Sequence, residues 1–198
     1  MEKRIAKYRK RDMPPLDALK KELKRERYKR RFRRLLRSTV NALIVVAAIA
    51  ALVATMLIPV LQIAGTSMEP SLNDGDIVLL VKKNDLQTGD LCAFYYSNKI
   101  LIKRIIATPG DYIWIESDGT VFLNGAPLDE PYVSEKALGE CDVEFPYQVP
   151  ENNYFVMGDH RDTSIDSRSS IIGCIAEDQI VGKIFCKFWP LSEFAFLD

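Results

Sequence analysis

The chain has 198 residues and balances 27 Lys and Arg against 27 Asp and Glu, so its formal net charge at neutral pH is zero. That balance conceals a strong asymmetry, because residues 1–37 are highly basic and the remainder is acidic. Nucleic-acid binding is one interpretation of a basic run, but this run adjoins an uncharged stretch and lacks a recognisable recognition module. Nucleic acid is therefore not expected as a partner.

The first predicted element is a membrane-spanning helix. Residues 40–61 carry no charged side chain, and about 20 apolar residues in a helix cross a hydrocarbon core of about 30 Å. A buried core helix and a cleaved secretory signal are the alternatives, and the charged leader would be unusually long for such a signal. We therefore divide the chain into a basic tail of residues 1–38, a transmembrane helix of residues 39–61 and an exterior domain of residues 62–198.

The basic tail sets the predicted orientation. Positive charge that flanks a spanning helix stays on the cytoplasmic side, so the N-terminus should be cytoplasmic and the exterior domain should lie outside the plasma membrane. The run Lys20–Arg37 should be attracted to anionic lipid headgroups. Mixed charge spacing indicates that part of the tail is helical, and its outermost residues are expected to be disordered.

The exterior domain has the pattern of a mainly antiparallel β protein. Short β-branched and aromatic runs alternate with Gly, Asn, Asp and Pro turn residues, and Asp118-Gly119 and Asn124-Gly125 are tight hairpin signals. We predict a curled or barrel-like antiparallel sheet, with an irregular excursion around residues 128–150. The predicted strands cover residues 76–81, 90–96, 100–106, 112–115, 121–123, 154–157 and 180–185.

Two residues of this domain suggest nucleophilic catalysis. Ser67 closely follows the predicted span, and Lys103 lies within an apolar strand in which Leu101 and Ile105 share its face. Aliphatic neighbours remove water from an amine and favour its neutral form, which can accept a proton from a serine hydroxyl. Taken separately, the serine also fits an ordinary turn residue before Pro70, and the lysine also fits a strand-edge residue that reaches water.

A third segment makes the pattern specific. Residues 158–168 are polar or glycine at nearly every position, which suits a fixed loop that supports an active site. The chain then contains four motifs in order, which read Ser67-Met68-x-Pro70-Ser71-Leu72, Gly75-Asp76-Ile77-Val78-Leu79, Lys103-Arg104-x-x-Ala107-x-Pro109-Gly110-Asp111 and Gly158-Asp159-x-Arg161-Asp162-x-Ser164-x-Asp166-Ser167-Arg168. In these motifs, and in their position after a membrane anchor, the chain resembles the bacterial type I signal peptidases.

The resemblance implies a role for each matching residue. Ser67 resembles the nucleophile, and Lys103 resembles the general base that activates it and later activates water. The Ser67 backbone N–H should donate to the developing oxyanion. Ser164 resembles a serine whose hydroxyl orients the lysine amine, whereas Asp166 and Arg168 resemble a charged pair that braces the site.

Further matching residues are expected to shape the site or to contact substrate. Arg104, Gly158 and Asp159 should shape the site, and Met68 should face the lipid surface. Substrate should dock as an extended strand against two sheet edges, and the family implies small pockets for the first and third side chains before the cut. The predicted substrate-contacting residues are Gly65, Thr66, Met68, Leu101 and Ile102.

Two positions depart from the family pattern. Gly65 stands where some members have a serine that supplements the oxyanion hole, so a second donor is left unassigned. His160 stands where asparagine is more usual, and as the only histidine it would have to serve any Ser-His-Asp triad. The lysine motif already supplies a base, and Lys103, in place of a histidine, puts the chain on the bacterial or organellar side of the family.

No metal, nucleotide or other cofactor is suggested by the sequence. The four cysteines all fall in the exterior domain and lack the paired spacing of a zinc site. An oxidising exterior permits two disulfides in three connectivities, and we favour no obligatory disulfide. The four cysteines are Cys92, Cys141, Cys174 and Cys186.

The predicted function is that of a membrane-bound serine endopeptidase that removes N-terminal signal peptides from exported preproteins with a Ser-Lys dyad. Its partners would be those signal peptides and membrane lipid, and transient contact with the secretion translocon fits that role. A self-cleaving Ser-Lys repressor would need a DNA-binding domain in place of the anchor, and a β-lactamase-like enzyme would need a Ser-x-x-Lys motif, which Pro70 breaks. The remaining alternative is a specialised or inactive signal-peptidase-like factor in surface pilus assembly, which should lack the serine or the lysine.

Overall fold

The computed structural model describes residues 15–57, 59–82 and 85–197 of the protein. The predicted disorder of the outermost tail concerns residues outside these ranges. The one α-helix found in the described residues is α1 (Leu16–Leu57), and two 3₁₀ turns cover Glu177–Gln179 and Leu191–Glu193. The strands found there are β1 (Val60–Gln62), β2 (Ile77–Val81), β3 (Leu91–Tyr96), β4 (Lys99–Ala107), β5 (Tyr112–Ile115), β6 (Val121–Leu123), β7 (Ala126–Pro127), β8 (Tyr147–Gln148), β9 (Asn153–Met157), β10 (Ile175–Ala176), β11 (Ile180–Trp189) and β12 (Ala195–Phe196).

Helix α1 is longer than the predicted span. It begins at Leu16 and runs through the whole basic segment Lys20–Arg37, because Lys, Arg, Glu and Leu are good helix formers. Its C-terminal part is long and apolar enough to cross a membrane. The helix ends at Leu57, and the last two residues of the predicted span, Val60 and Leu61, lie in β1 instead.

The remainder of the described chain forms two antiparallel sheets. The larger sheet has the strand order β1-β2-β11-β3-β4-β9-β10, with β12 paired to β11, and the smaller has the order β7-β6-β5-β8. The hairpin turns predicted at Asp118-Gly119 and Asn124-Gly125 join β5 to β6 and β6 to β7, with positive φ at Gly119, Asn124 and Gly125. The predicted mainly antiparallel β domain after one N-terminal apolar helix is confirmed.

Strand β4 contributes to all three hydrophobic clusters of the domain. Ile102 packs against the cluster that contains Val78 and Leu80. Ile106 belongs to a cluster shared by β4, β9 and the smaller sheet, whereas Ile105 belongs to a third cluster on which Leu101 also packs. The strand that carries Lys103 is therefore held by close packing on both of its faces.

Candidate active site

The side chains of Ser67 and Lys103 meet, although they come from separate segments. Ser67 lies in a turn that follows β1. The turn begins at Gly65, which has a φ of 97° and whose N–H donates a hydrogen bond of 2.8 Å to Asp74 Oδ1. Lys103 projects from β4, where it pairs with Cys92 of β3. Its Nζ lies 2.8 Å from Ser67 Oγ. The pair has the geometry of a nucleophile and its base.

Burial controls the charge of the Lys103 amine. The residue is only 4% exposed, and loss of hydration lowers its pKa from 10.5 to about 8. Smaller electrostatic effects oppose one another, because Asp166 and Asp159 raise the pKa whereas Arg168 lowers it. A substantial fraction of the amine is therefore neutral near physiological pH and able to accept the Ser67 proton.

The loop that follows β9 packs directly against the backbone of Ser67. The His160 N–H donates to the Ser67 carbonyl at 3.1 Å. A Cβ atom at Gly158 would lie 2.5 Å from that carbonyl oxygen and 2.3 Å from Ser164 Oγ. Only glycine fits this approach, so Gly158 and His160 hold the backbone of Ser67 in a fixed position.

A buried ion pair holds Gly158 in place. Asp166 receives hydrogen bonds from Arg168 Nε at 2.8 Å and from Arg168 Nη2 at 2.9 Å, and its Oδ2 also accepts from the Gly158 N–H at 3.0 Å. Both side chains are fully buried. Bidentate pairs of this kind combine strength with fixed orientation. Arg168 further donates to the carbonyls of Ala137, Leu138, Arg161 and Ser164.

A second buried pair fixes the strand beside Lys103. Arg104 contacts Asp159 through Nε–Oδ1 at 2.8 Å and Nη2–Oδ2 at 2.6 Å. Its guanidinium also donates to the Gly89 carbonyl at 2.7 Å and lies 3.8 Å from the ring centroid of Tyr132. Arg104 thereby ties β4, next to Lys103, to the same loop that supports Ser67.

A third buried pair, between Arg161 and Glu130, was missed by the sequence analysis. Arg161 Nε donates to the Gly158 carbonyl at 3.1 Å, Nη1 donates to Glu130 Oε2 at 3.1 Å, and Nη2 contacts Glu130 Oε1. Arg161 stands in the last motif but had no assigned role, and no motif marks Glu130, which lies in the irregular excursion. Through this pair, the irregular excursion contacts and supports the loop that carries Gly158.

Ser164 does not make the predicted hydrogen bond to the lysine amine. Its Oγ is buried and has no hydrogen-bond partner among the described residues. The hydroxyl lies against Gly158 instead, while the Ser164 N–H donates to the His160 carbonyl at 3.1 Å. His160 Nδ1 likewise finds no partner in the described part of the chain, and the side chain in contact with Ser67 Oγ is Lys103.

A narrow groove of about 120 Å³ runs beside the Ser67–Lys103 pair. Thr66 is exposed and does not line it, unlike the other four predicted contact residues. Among the described strands, β1 pairs only with β2, and β9 joins β4 only from Arg104 onward. Both edges therefore present unpaired backbone groups to an extended peptide. The lining residues are Leu61, Gln62, Ile63, Ala64, Gly65, Ser67, Met68, Ile100, Leu101, Ile102 and Lys103.

The prediction that Met68 faces lipid is wrong. Met68 is 2% exposed and packs in the cluster that contains Leu72 and Leu80. The chain turns tightly after Ser67, with a hydrogen bond from the Leu72 N–H to the Met68 carbonyl of 2.9 Å, and this turn directs the methionine inward. Met68 therefore contributes an apolar floor to the groove.

All four cysteines are free thiols, of which Cys92 and Cys186 are buried. Burial raises the pKa of the Cys92 thiol to about 12, which makes it a poor nucleophile. Within the described ranges, no group of three His, Cys, Asp or Glu residues could hold a metal ion.

Comparison with known proteins gives consistent matches. A family model described as signal peptidase, peptidase S26, matches residues 36–189. The chain is 37% identical over 154 residues to signal peptidase IB of Staphylococcus aureus, covering 68% of this chain and 79% of that protein. It is 35% identical over 144 residues to signal peptidase I of Bacillus licheniformis, covering 66% and 76%. A crystal structure of a signal peptidase I from Enterococcus faecalis matches at 27% identity with a TM-score of 0.43, covering 50% of this chain and 96% of that one.

Proposed function

Because the chain belongs to the signal peptidase family, peptidase S26, we propose that it is a membrane-anchored serine endopeptidase that cleaves signal peptides from exported preproteins. The observation that carries the proposal is the 2.8 Å contact between Ser67 Oγ and a buried lysine amine of lowered pKa. The pilus-assembly alternative has no support, because the family matches are signal peptidases and the serine and lysine are both present.

The proposed reaction needs only one proton carrier. The neutral Lys103 amine takes the proton of the Ser67 hydroxyl as Oγ attacks the scissile carbonyl, and the resulting ammonium gives that proton to the leaving amine. A water molecule then attacks the acyl-enzyme, with the same amine as its base. The Ser67 N–H, which donates to no acceptor in the described part of the chain, supports an oxyanion on the substrate.

We further propose that the substrate lies extended in the groove between β1 and β4. Its backbone would pair with the free edges at residues 62–65 and 100–103, as in strand addition. The small volume of the groove, about 120 Å³, supports a preference for small side chains at the first and third positions before the cut. Gly65, Met68, Leu101 and Ile102 would contact the substrate.

The proposed location is the plasma membrane, with a cytoplasmic tail and the catalytic domain on the outside. The net positive charge of residues 1–37 supports this orientation, and the same residues would bind anionic lipid. Signal peptides would reach the site along the outer bilayer surface, and transient contact with the secretion translocon would deliver them.

The test is cleavage of a panel of preproteins by the full chain in detergent micelles, followed by sequencing of the new N-termini. Ser67→Ala and Lys103→Ala should each reduce cleavage by at least 10³-fold, and the double variant should be little worse, because the two residues act as a unit. The exposed residues Ser134 and Lys136 provide matched controls as Ser134→Ala and Lys136→Ala. Substantial cleavage by Ser67→Ala would exclude Ser67 as the nucleophile.

A further inference from the structure

A second cavity, of about 600 Å³, lies beside Lys103 and adjoins the groove, with which it shares Leu101 and Lys103. Its walls are largely apolar, and residues 97–99 contribute the polar part of the lining. Two of its isoleucines, Ile165 and Ile171, are exposed to 47% and 63%. Exposed apolar side chains that gather around a concave surface mark a binding site more often than isolated ones do. The lining residues are Tyr96, Ser97, Asn98, Lys99, Leu101, Lys103, Ile165, Ile171 and Ile172.

The wall that carries Ile171 is held rigidly in place. The Tyr96 hydroxyl donates to the Ile171 carbonyl at 2.5 Å. The preceding residue, Ser170, donates to Asp142 through both its N–H and its hydroxyl, each at 2.6 Å. The backbone on both sides of the Ile171 side chain is therefore fixed, and the cavity is preformed.

Leu101 and Lys103, on one face of β4, line both the groove and the cavity, whereas Ile102, on the other face, lines only the groove. Ile102, which lines the groove, packs against the cluster of Val78 and Leu80. Leu101, which lines the cavity, packs instead against the cluster of Cys92 and Phe94. A peptide that pairs with the free edge of β4 continues this sheet, so its side chains must alternate between the same two faces.

From this alternation we infer that the cavity binds the side chain of the second substrate residue before the cut and favours a large apolar one. The inference rests on the proposed function, in which the first and third side chains point into the narrow groove. The second side chain then points to the opposite face, where residues 96–99, Leu101 and Lys103 line the cavity. The volumes match this division, because the groove measures about 120 Å³ and the cavity about 600 Å³.

The experiment measures kcat/KM of the full chain in detergent micelles for preproteins that differ only at the second position before the cut. Leu and Phe at this position should be cleaved at least tenfold faster than Ser or Asp, the discrimination expected of an apolar pocket. Ile171→Asp should bring the ratio of kcat/KM for the Leu substrate to that for the Ser substrate close to one. For a further substrate with Lys at the second position, Ile171→Asp should raise kcat/KM relative to the Leu substrate. Ile171→Val should keep the original ranking.

Controls separate a subsite from a general effect of surface charge. Leu191 is 63% exposed, like Ile171, but does not line the cavity, so Leu191→Asp should leave the ranking unchanged. Ile171→Asp should also leave the ranking at the first position before the cut unchanged. If Ile171→Asp and Leu191→Asp slow all substrates equally, the isoleucine face contacts lipid or detergent and the inference is wrong.

The outcome also distinguishes the inference from the function on which it rests. Cleavage by the unmodified protein with a flat ranking at the second position would overturn the inference and leave the proposed function intact. The inference would also be wrong if changes of Ile171 altered the preference only for substrate residues after the cut. The cavity would then bind the substrate on the other side of the scissile bond. No cleavage of any preprotein would overturn both.

Discussion

The proposed role of Lys103 as a base depends on where its side chain lies. Burial lowers the pKa of its amine to about 8, and the base is active only in its neutral form. The kcat/KM of the full chain should therefore rise about tenfold per pH unit below this pKa and level off above it. A profile of kcat/KM against pH checks this, and a flat profile between pH 6 and 9 would contradict it.

The same profile tests whether the apolar strand tunes the amine. Leu101 shares the strand face of Lys103 and is half-buried. Leu101→Ser should therefore admit water, favour the ammonium form of Lys103 and move the rising part of the pH profile to higher pH. Leu191→Ser, which changes an exposed leucine outside the site, should not move it. Ile105 is a poorer probe, because it is fully buried in the core and its replacement would disturb packing.

Gly158 should be irreplaceable for catalysis rather than for folding alone. The Cβ of Gly158→Ala would lie 2.5 Å from the Ser67 carbonyl oxygen and must displace Ser67. A shift of about 1 Å can lower the rate about 100-fold, so kcat should fall by that order while KM changes little. Gly125→Ala, at a turn with open space and a φ of 85°, should lower the thermal stability but not kcat.

The resemblance predicted which residues meet at the site but not how each one is used. The motifs placed Ser67 and Lys103 in proximity, and the structure gives their side chains a direct contact. Ser164 differs because its hydroxyl turns toward Gly158, a rotamer that no sequence pattern specifies. Met68 differs because the direction of an apolar side chain depends on the turn that carries it. Glu130 carried no signal, since a single acid in a loop usually reaches water.

At the scale of elements, strands with local signals were predicted well and short strands were not. Strands β2 to β6, β9 and β11 lie close to their predicted ranges, because alternating apolar residues and turn glycines are local features. Strand β1 was not predicted, because its first two residues belong to the apolar stretch that was assigned to the transmembrane helix. Strands β7, β8, β10 and β12 have two residues each, too few for any periodicity, and they form because neighbouring strands offer an edge.

The excursion between β7 and β8 should contribute stability through Glu130. Glu130→Ala would leave the buried Arg161 guanidinium without its carboxylate, and breaking a buried pair costs about 3–5 kcal/mol. The double variant Glu130→Leu/Arg161→Met should lose less than the sum of the single changes. Urea unfolding of the full chain measures both free energies. Glu135→Ala removes an exposed acid from the same excursion, and equal effects of the two alanine variants would refute the prediction.

At the scale of the whole molecule, the length and charge of α1 decide how the chain crosses the membrane. The helix has 42 residues, which at 1.5 Å per residue is about 63 Å, roughly twice the thickness of the hydrocarbon core. Its basic first half must therefore lie outside the hydrocarbon. Because charged residues 20–37 flank the apolar half on one side only, that side should remain cytoplasmic.

Protease added to intact, wall-stripped cells should then digest the domain that carries Ser67 and spare an epitope placed at the N-terminus, which becomes accessible only after detergent is added. Changing Arg30, Arg31, Arg33, Arg34 and Arg37 to Gln should weaken this protection, because the bias comes from positive charge next to the span. The same five changes to Lys should preserve it. If the protease digested the epitope and spared the domain that carries Ser67, the orientation would be opposite to the one predicted. Ser67 could then no longer meet a signal peptide on the outer side of the membrane.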